Sequence, residues 1–130
     1  MGKGWIGAAA WLGALGVALG AFGAHALRGV LPLQMMTIFN TGVQYHLVHS
    51  LALLATGVLM VAAPAPPRAL ELAARLFTAG IALFSGSLYV LATTGFERVG
   101  WLTPLGGLAF LGGWVALAVG SRGLRGARRG

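Results

Sequence analysis

The chain of 130 residues contains no cysteine and no aspartate, and its only carboxylate side chains are Glu71 and Glu97. Each absence closes a class of chemistry. Without cysteine there can be no disulfide, iron–sulfur cluster, thiolate metal site or covalent c-type haem attachment. Without aspartate, Ser85 and Ser87 in Phe84-Ser85-Gly86-Ser87-Leu88-Tyr89 lack the third member of a serine triad. A di-iron bundle needs inward carboxylates beside its histidines, and both glutamates fall near expected helix ends. Carboxylate acid–base catalysis lacks a second partner for the same reason. Charge of either sign is scarce: 8% of residues are charged, against about 25% in an ordinary soluble domain.

What remains is mostly hydrocarbon. Hydrophobic residues make up 58% of the chain. A protein this short keeps much of its surface exposed, so it cannot hide that much apolar area from water. The solvent for most of it must be lipid. Runs of roughly 20 apolar residues cross a bilayer as helices, and four are expected, at about 5–24, 36–63, 69–94 and 99–120. Breaks fall at Arg28-Gly29-Val30-Leu31-Pro32, at Pro64-Ala65-Pro66-Pro67, and at Gly95, which suits a helix C-cap. The first run resembles a signal peptide, with Lys3 before it and Ala24-His25-Ala26 after it. It is longer than the usual apolar region of about 7–15 residues, so a transmembrane helix is expected. The fold class is therefore all-α: one integral membrane domain, 1–130, of four transmembrane helices, with a basic tail at 121–130 and no stretch left for a soluble domain.

Nine basic residues against two acidic give a net charge of +7. Their placement argues for membrane surface rather than nucleic acid. Arg122, Arg125, Arg128 and Arg129 follow the last apolar run, where they are expected to meet lipid headgroups. Lys3, Arg68, Arg75 and these four fall on one side of a four-crossing chain, and Arg28 and Arg98 on the other. The positive-inside bias then puts both termini in the cytoplasm. Arg75 lies about one turn into its helix, four residues after Glu71, the favourable orientation for an ion pair.

Helices in lipid approach closely through small residues. Gly13, Gly16, Gly20 and Ala24 form a stripe on the first helix, Ala109, Gly113, Ala116 and Gly120 on the fourth, and Ala82 and Gly86 on the third. These are the expected packing positions. Trp5 and Trp101 sit where interfacial anchors should. Tyr45 and Tyr89 lie deeper, so their hydroxyls are expected to find partners inside the bundle.

The second helix carries unusual polarity: Asn40, Thr41, Gln44, Tyr45, His46, His49 and Ser50. At 100° per residue, Gly42, Tyr45, His46, His49 and Leu53 share one face, with Asn40 and Gln44 roughly opposite. His46 and His49, with His25 as a third nitrogen, are candidates for a metal, and with Tyr45 and Tyr89 for a haem, small solute or proton pathway. The alternative is that these groups make interhelical hydrogen bonds, worth on average about 0.6 kcal/mol each.

Four segments resemble a known family. They are Gly20-Ala21-Phe22-Gly23-Ala24-His25, Gln44-Tyr45-His46 through His49-Ser50-Leu51-Ala52-Leu53-Leu54, Phe84-Ser85-Gly86-Ser87-Leu88-Tyr89, and Thr103-Pro104-Leu105-Gly106-Gly107-Leu108-Ala109-Phe110. In this order they are similar to the small membrane proteins labelled domain of unknown function 423. The resemblance implies a four-helix protein of the bacterial inner membrane, with membrane-located or mitochondrial relatives in eukaryotes and no established reaction. It places the family's typical motif residues at His25, Gln44, Tyr45, His46, His49, Ser85, Ser87, Tyr89, Thr103 and Pro104. The expectation is a non-enzymatic subunit, assembly factor or lipid-organising protein without a cofactor. Its expected partners are the bilayer and either another membrane protein or a second copy of itself, and not nucleic acid.

Overall fold

A computed structural model describes residues 1–126, with side chains through Leu124; the headgroup contacts expected of Arg125, Arg128 and Arg129 lie outside those described side chains. Four helices run up and down: α1 (Gly2–Leu27), α2 (Leu33–Ala62), α3 (Arg68–Thr94) and α4 (Leu102–Gly126). All are apolar and long enough to cross a bilayer. No strand occurs among the described residues.

Local chemistry explains the breaks. The residue before a proline is driven out of the helical region, and α2 accordingly ends with Ala63 extended ahead of Pro64. Gly29, at φ +82°, turns the chain between α1 and α2. Gly95, at φ +71°, closes α3 in the left-handed conformation, its N–H donating to the Leu91 carbonyl. That is the expected cap. The last helix differs from expectation: a 3-10 turn at Glu97–Trp101 leads into it, and it continues through 121–126, into what the sequence suggests is tail. Glycine and arginine there do not break it; only proline is costly enough to do so alone.

The central pair is α2 and α3; α1 packs chiefly on α2, and α4 chiefly on α3. The core is built from Ala9, Ala52, Leu53, Ala73, Ala74, Phe77, Ile81, Phe110 and Ala116. Small residues set the close approaches, as lipid-embedded helices require. A methyl on Gly106 would strike the Phe84 backbone, and one on Gly57 would meet Ile6 and the Gly2 carbonyl. Among the expected packing positions, Gly16 abuts Leu47, Gly20 abuts Val43, Gly113 abuts Phe77, and Ala116 is buried. Ala109 is half-buried. Gly13 and Gly86 face open space, however, and Ala82 is exposed. A stripe at helical spacing marks only one angular position on a helix. The neighbour's position decides which residues of it are covered.

At one end, Gly2 lies against Met60 and Val61, Gly120 against Leu70 and Gly123 against Pro67. The start of α1, the α2–α3 loop and the end of α4 therefore meet there. Arg28, Glu97 and Arg98 lie in the connections at the other end.

Candidate functional site

The polar face of α2 turns inward. His46 is 2% exposed and His49 4%, whereas Asn40 and Gln44 are exposed. His46 Nε2 lies 2.8 Å from the Leu12 carbonyl oxygen on α1. A carbonyl only accepts, so Nε2 carries the proton and Nδ1 has the lone pair. That lone pair receives the Tyr89 hydroxyl of α3 at 2.8 Å. A neutral imidazole thus joins three helices, with both nitrogens used.

His49 repeats the arrangement toward α4. Its Nδ1 donates to the Tyr45 carbonyl one turn back, at 2.7 Å. Its Nε2 accepts from the Trp114 indole N–H at 3.0 Å, and indole can only donate. The ring stacks on Phe110 with centroids 3.5 Å apart. Either histidine would have to give up one of these bonds before it could ligate a metal or haem iron.

The hydroxyls near them act in the same way. A π-helical turn at Ile81–Ser85 in α3 ends where Ser85 donates to the Gly42 carbonyl of α2, at 2.7 Å. The Tyr89 ring passes over Gly42, where a methyl would come within 2.9 Å of it. Ser87 donates to the Phe84 carbonyl and so accepts from Thr103 of α4 at 2.6 Å. Ser50 and Thr56 donate back to carbonyls four residues earlier in α2. Among the described residues, no buried side-chain nitrogen or oxygen lacks a partner.

The remaining candidates are scattered. His25 is exposed in the π-helical turn Gly23–Leu27 that ends α1. It lies 13 residues beyond the carbonyl that holds His46, about 20 Å along the helix. His25, His46 and His49 are not brought together, and no cluster of metal-binding residues forms among the described residues. Tyr89 has the interior partner expected of it, but Tyr45 does not. Its ring lies against Phe84 at 4.6 Å while the residue is 41% exposed, and its hydroxyl makes no hydrogen bond among the described residues. An exposed hydroxyl at the bundle surface needs no protein partner. Trp101 is 81% exposed, as an anchor would be. Trp5 is instead half-buried and donates its indole N–H to Glu71 Oε2 at 2.8 Å. Glu71 also holds the expected pair with Arg75, at 3.1 Å. Sequence reasoning missed Trp5, Leu12, Phe110 and Trp114 as partners. The one available signal is that a buried histidine needs a donor, and tryptophan supplies one without an acceptor.

The family described as "Protein of unknown function (DUF423)" matches residues 19–107. The chain belongs to this family. The UPF0382 membrane protein YwdK of Bacillus subtilis (strain 168) is 44% identical over 109 residues, covering 81% of this chain and 85% of the relative. A UPF0382 membrane protein of Haemophilus influenzae is 41% identical, covering 81% and 82%. The UPF0382 inner membrane protein YgdD of Escherichia coli (strain K12) is 38% identical over 117 residues, covering 87% and 85%. No solved structure matches the chain. The DUF423 stretch includes His46, His49, Ser85, Ser87, Tyr89 and Thr103, all of which are hydrogen-bonded inside the bundle. Leu12 and Trp114, which complete two of those bonds, fall outside it. Like its relatives, this is a membrane protein, with four transmembrane helices.

Proposed function

We propose that this DUF423 protein is a non-enzymatic component of the bacterial inner membrane. It works as a small subunit, assembly factor or lipid-organising protein through its outer surface, with both termini cytoplasmic. One observation supports the reading: among the described residues, the buried side-chain nitrogens and oxygens are all engaged in bonds between and within helices, and none is left unpartnered to receive a substrate or ion. The orientation rests on Lys3, Arg68, Arg75 and Arg122 at one end of the bundle against Arg28 and Arg98 at the other, and on the further arginines that follow Arg122 in the sequence.

The test is gentle purification followed by mass analysis of whatever accompanies the chain. Stoichiometric lipid or a partner membrane protein is expected, without a chromophore or bound metal. Recovery of the lone chain as a complete catalyst would overturn the reading. Because the chain has no cysteine, single cysteines placed at Lys3 and at the exposed Glu97 report topology directly. Labelling of Lys3→Cys by an impermeant reagent from outside intact cells would reverse the orientation.

A further inference from the structure

A cavity of about 350 Å³ opens at the end where α1 begins and α4 ends. Its walls come from Met1 ahead of α1, from Met60 at the end of α2, from Pro66 and Pro67, and from Arg68, Glu71, Leu72 and Arg75 on the first two turns of α3. Arg68 and Arg75 are seven residues apart, two helical turns, and so share a side of α3. Glu71 lies between them, and each of its oxygens already accepts one bond: Oε2 from Trp5 at 2.8 Å and Oε1 from Arg75 Nε at 3.1 Å. Arg75 is thereby held through Nε alone, which leaves its terminal nitrogens without a protein acceptor among the described residues. Arg68 makes no side-chain hydrogen bond or ion pair among them. The opposite wall is apolar, and Leu72 is half exposed on the outer surface of the bundle.

The pocket therefore offers spare guanidinium donors next to apolar side chains, at the first turns of a helix long enough to cross a membrane. Guanidinium groups bind phosphate oxygens through paired charge-assisted bonds, and basic pockets between helices on the cytoplasmic side suit anionic headgroups. A free phosphate would use the arginines and ignore Met60, Leu72 and the prolines. An amphiphile uses both. We infer that this pocket holds an anionic phospholipid, its phosphate against Arg68 and Arg75 and its glycerol and first acyl carbons against Leu72, Met60 and Pro66. The inference rests on the lipid-engaging role and orientation proposed above. It adds a specific site to them.

The full chain in detergent, mixed with phosphatidylglycerol or phosphatidylethanolamine and followed by native mass spectrometry, tests it. Phosphatidylglycerol should be retained over phosphatidylethanolamine. Retention should fall by about tenfold in Arg68→Gln/Arg75→Gln and stay unchanged in Arg98→Gln, an exposed cation at the opposite end. Arg68→Gln alone leaves the Glu71 contacts intact and should lose several-fold, so a folding defect in the double variant would not hide the result. Equal retention of the two lipids, or full retention by the folded double variant, overturns the site. So does displacement of phosphatidylglycerol by millimolar inorganic phosphate, which would assign the pocket to a soluble anion. If those outcomes arise while the natively purified protein still carries stoichiometric lipid, the pocket fails and the broader role stands. Wild-type protein free of both lipid and partners removes the role itself.

Discussion

The middle of the bundle and the end where α1 begins treat hydrogen-bonding groups in opposite ways. In the middle, His46, His49, Ser85, Ser87 and Tyr89 each find partners on neighbouring segments. At the end, Arg68 and Arg75 outnumber the one carboxylate between them, Glu71, which also accepts from Trp5. Saturated polarity holds helices together, because an unmatched group in hydrocarbon has no water to turn to. Unsaturated polarity at the interface stays solvated and remains able to meet something from outside.

The sharpest way to break the interior is steric. Gly106→Leu would drive a side chain into the Phe84 backbone, where no rotamer change can relieve it. Overpacking of this kind typically costs about 1–3 kcal/mol and occasionally more, and we expect loss of the folded bundle in detergent, read as a collapse of cooperative thermal unfolding. A normal transition would show that α3 and α4 are not so close. Next is Tyr89→Phe, which leaves His46 Nδ1 bare and should cost about 1–2 kcal/mol. A double-mutant cycle with His46→Ala should return a coupling near the upper end of the membrane range, about 1 kcal/mol or more. Zero coupling would mean the hydroxyl and imidazole do not meet.

Trp114→Phe sharpens the comparison, because it keeps the ring against Phe77 while removing the donor to His49. Chemical unfolding should show a loss of about 0.5–1 kcal/mol. The smallest effect belongs to Gln44→Ala on the outward face of α2, expected within about ±0.5 kcal/mol. A larger loss would place a partner on that face.

The helical architecture was legible in the sequence because runs of about 20 apolar residues and proline breaks are local signals. So was the inward face of α2, since 100° spacing separates Gly42, His46 and His49 from Asn40 and Gln44 without reference to any neighbour. The Glu71–Arg75 pair is local too. What each inward group touches is not. The Trp114–His49 and Trp5–Glu71 bonds span 65 and 66 residues, and no spacing rule links such positions. Gly13 and Gly86 have the spacing of packing residues but face nothing, because periodicity does not say where the adjacent helix lies.

The extensive packing of α1 on α2 and of α4 on α3 implies an order of assembly. Each pair can enter the bilayer as a helical hairpin, driven by its own apolar length, before the two hairpins meet. The bonds from His46 to Tyr89, Gly42 to Ser85 and His49 to Trp114 all run between the first hairpin and the second. Until the second hairpin arrives, the first holds two imidazoles with nitrogen lone pairs unanswered in hydrocarbon. A half-synthesised chain is therefore the state most exposed to capture by quality control, and the polar seam is the step that ends that exposure.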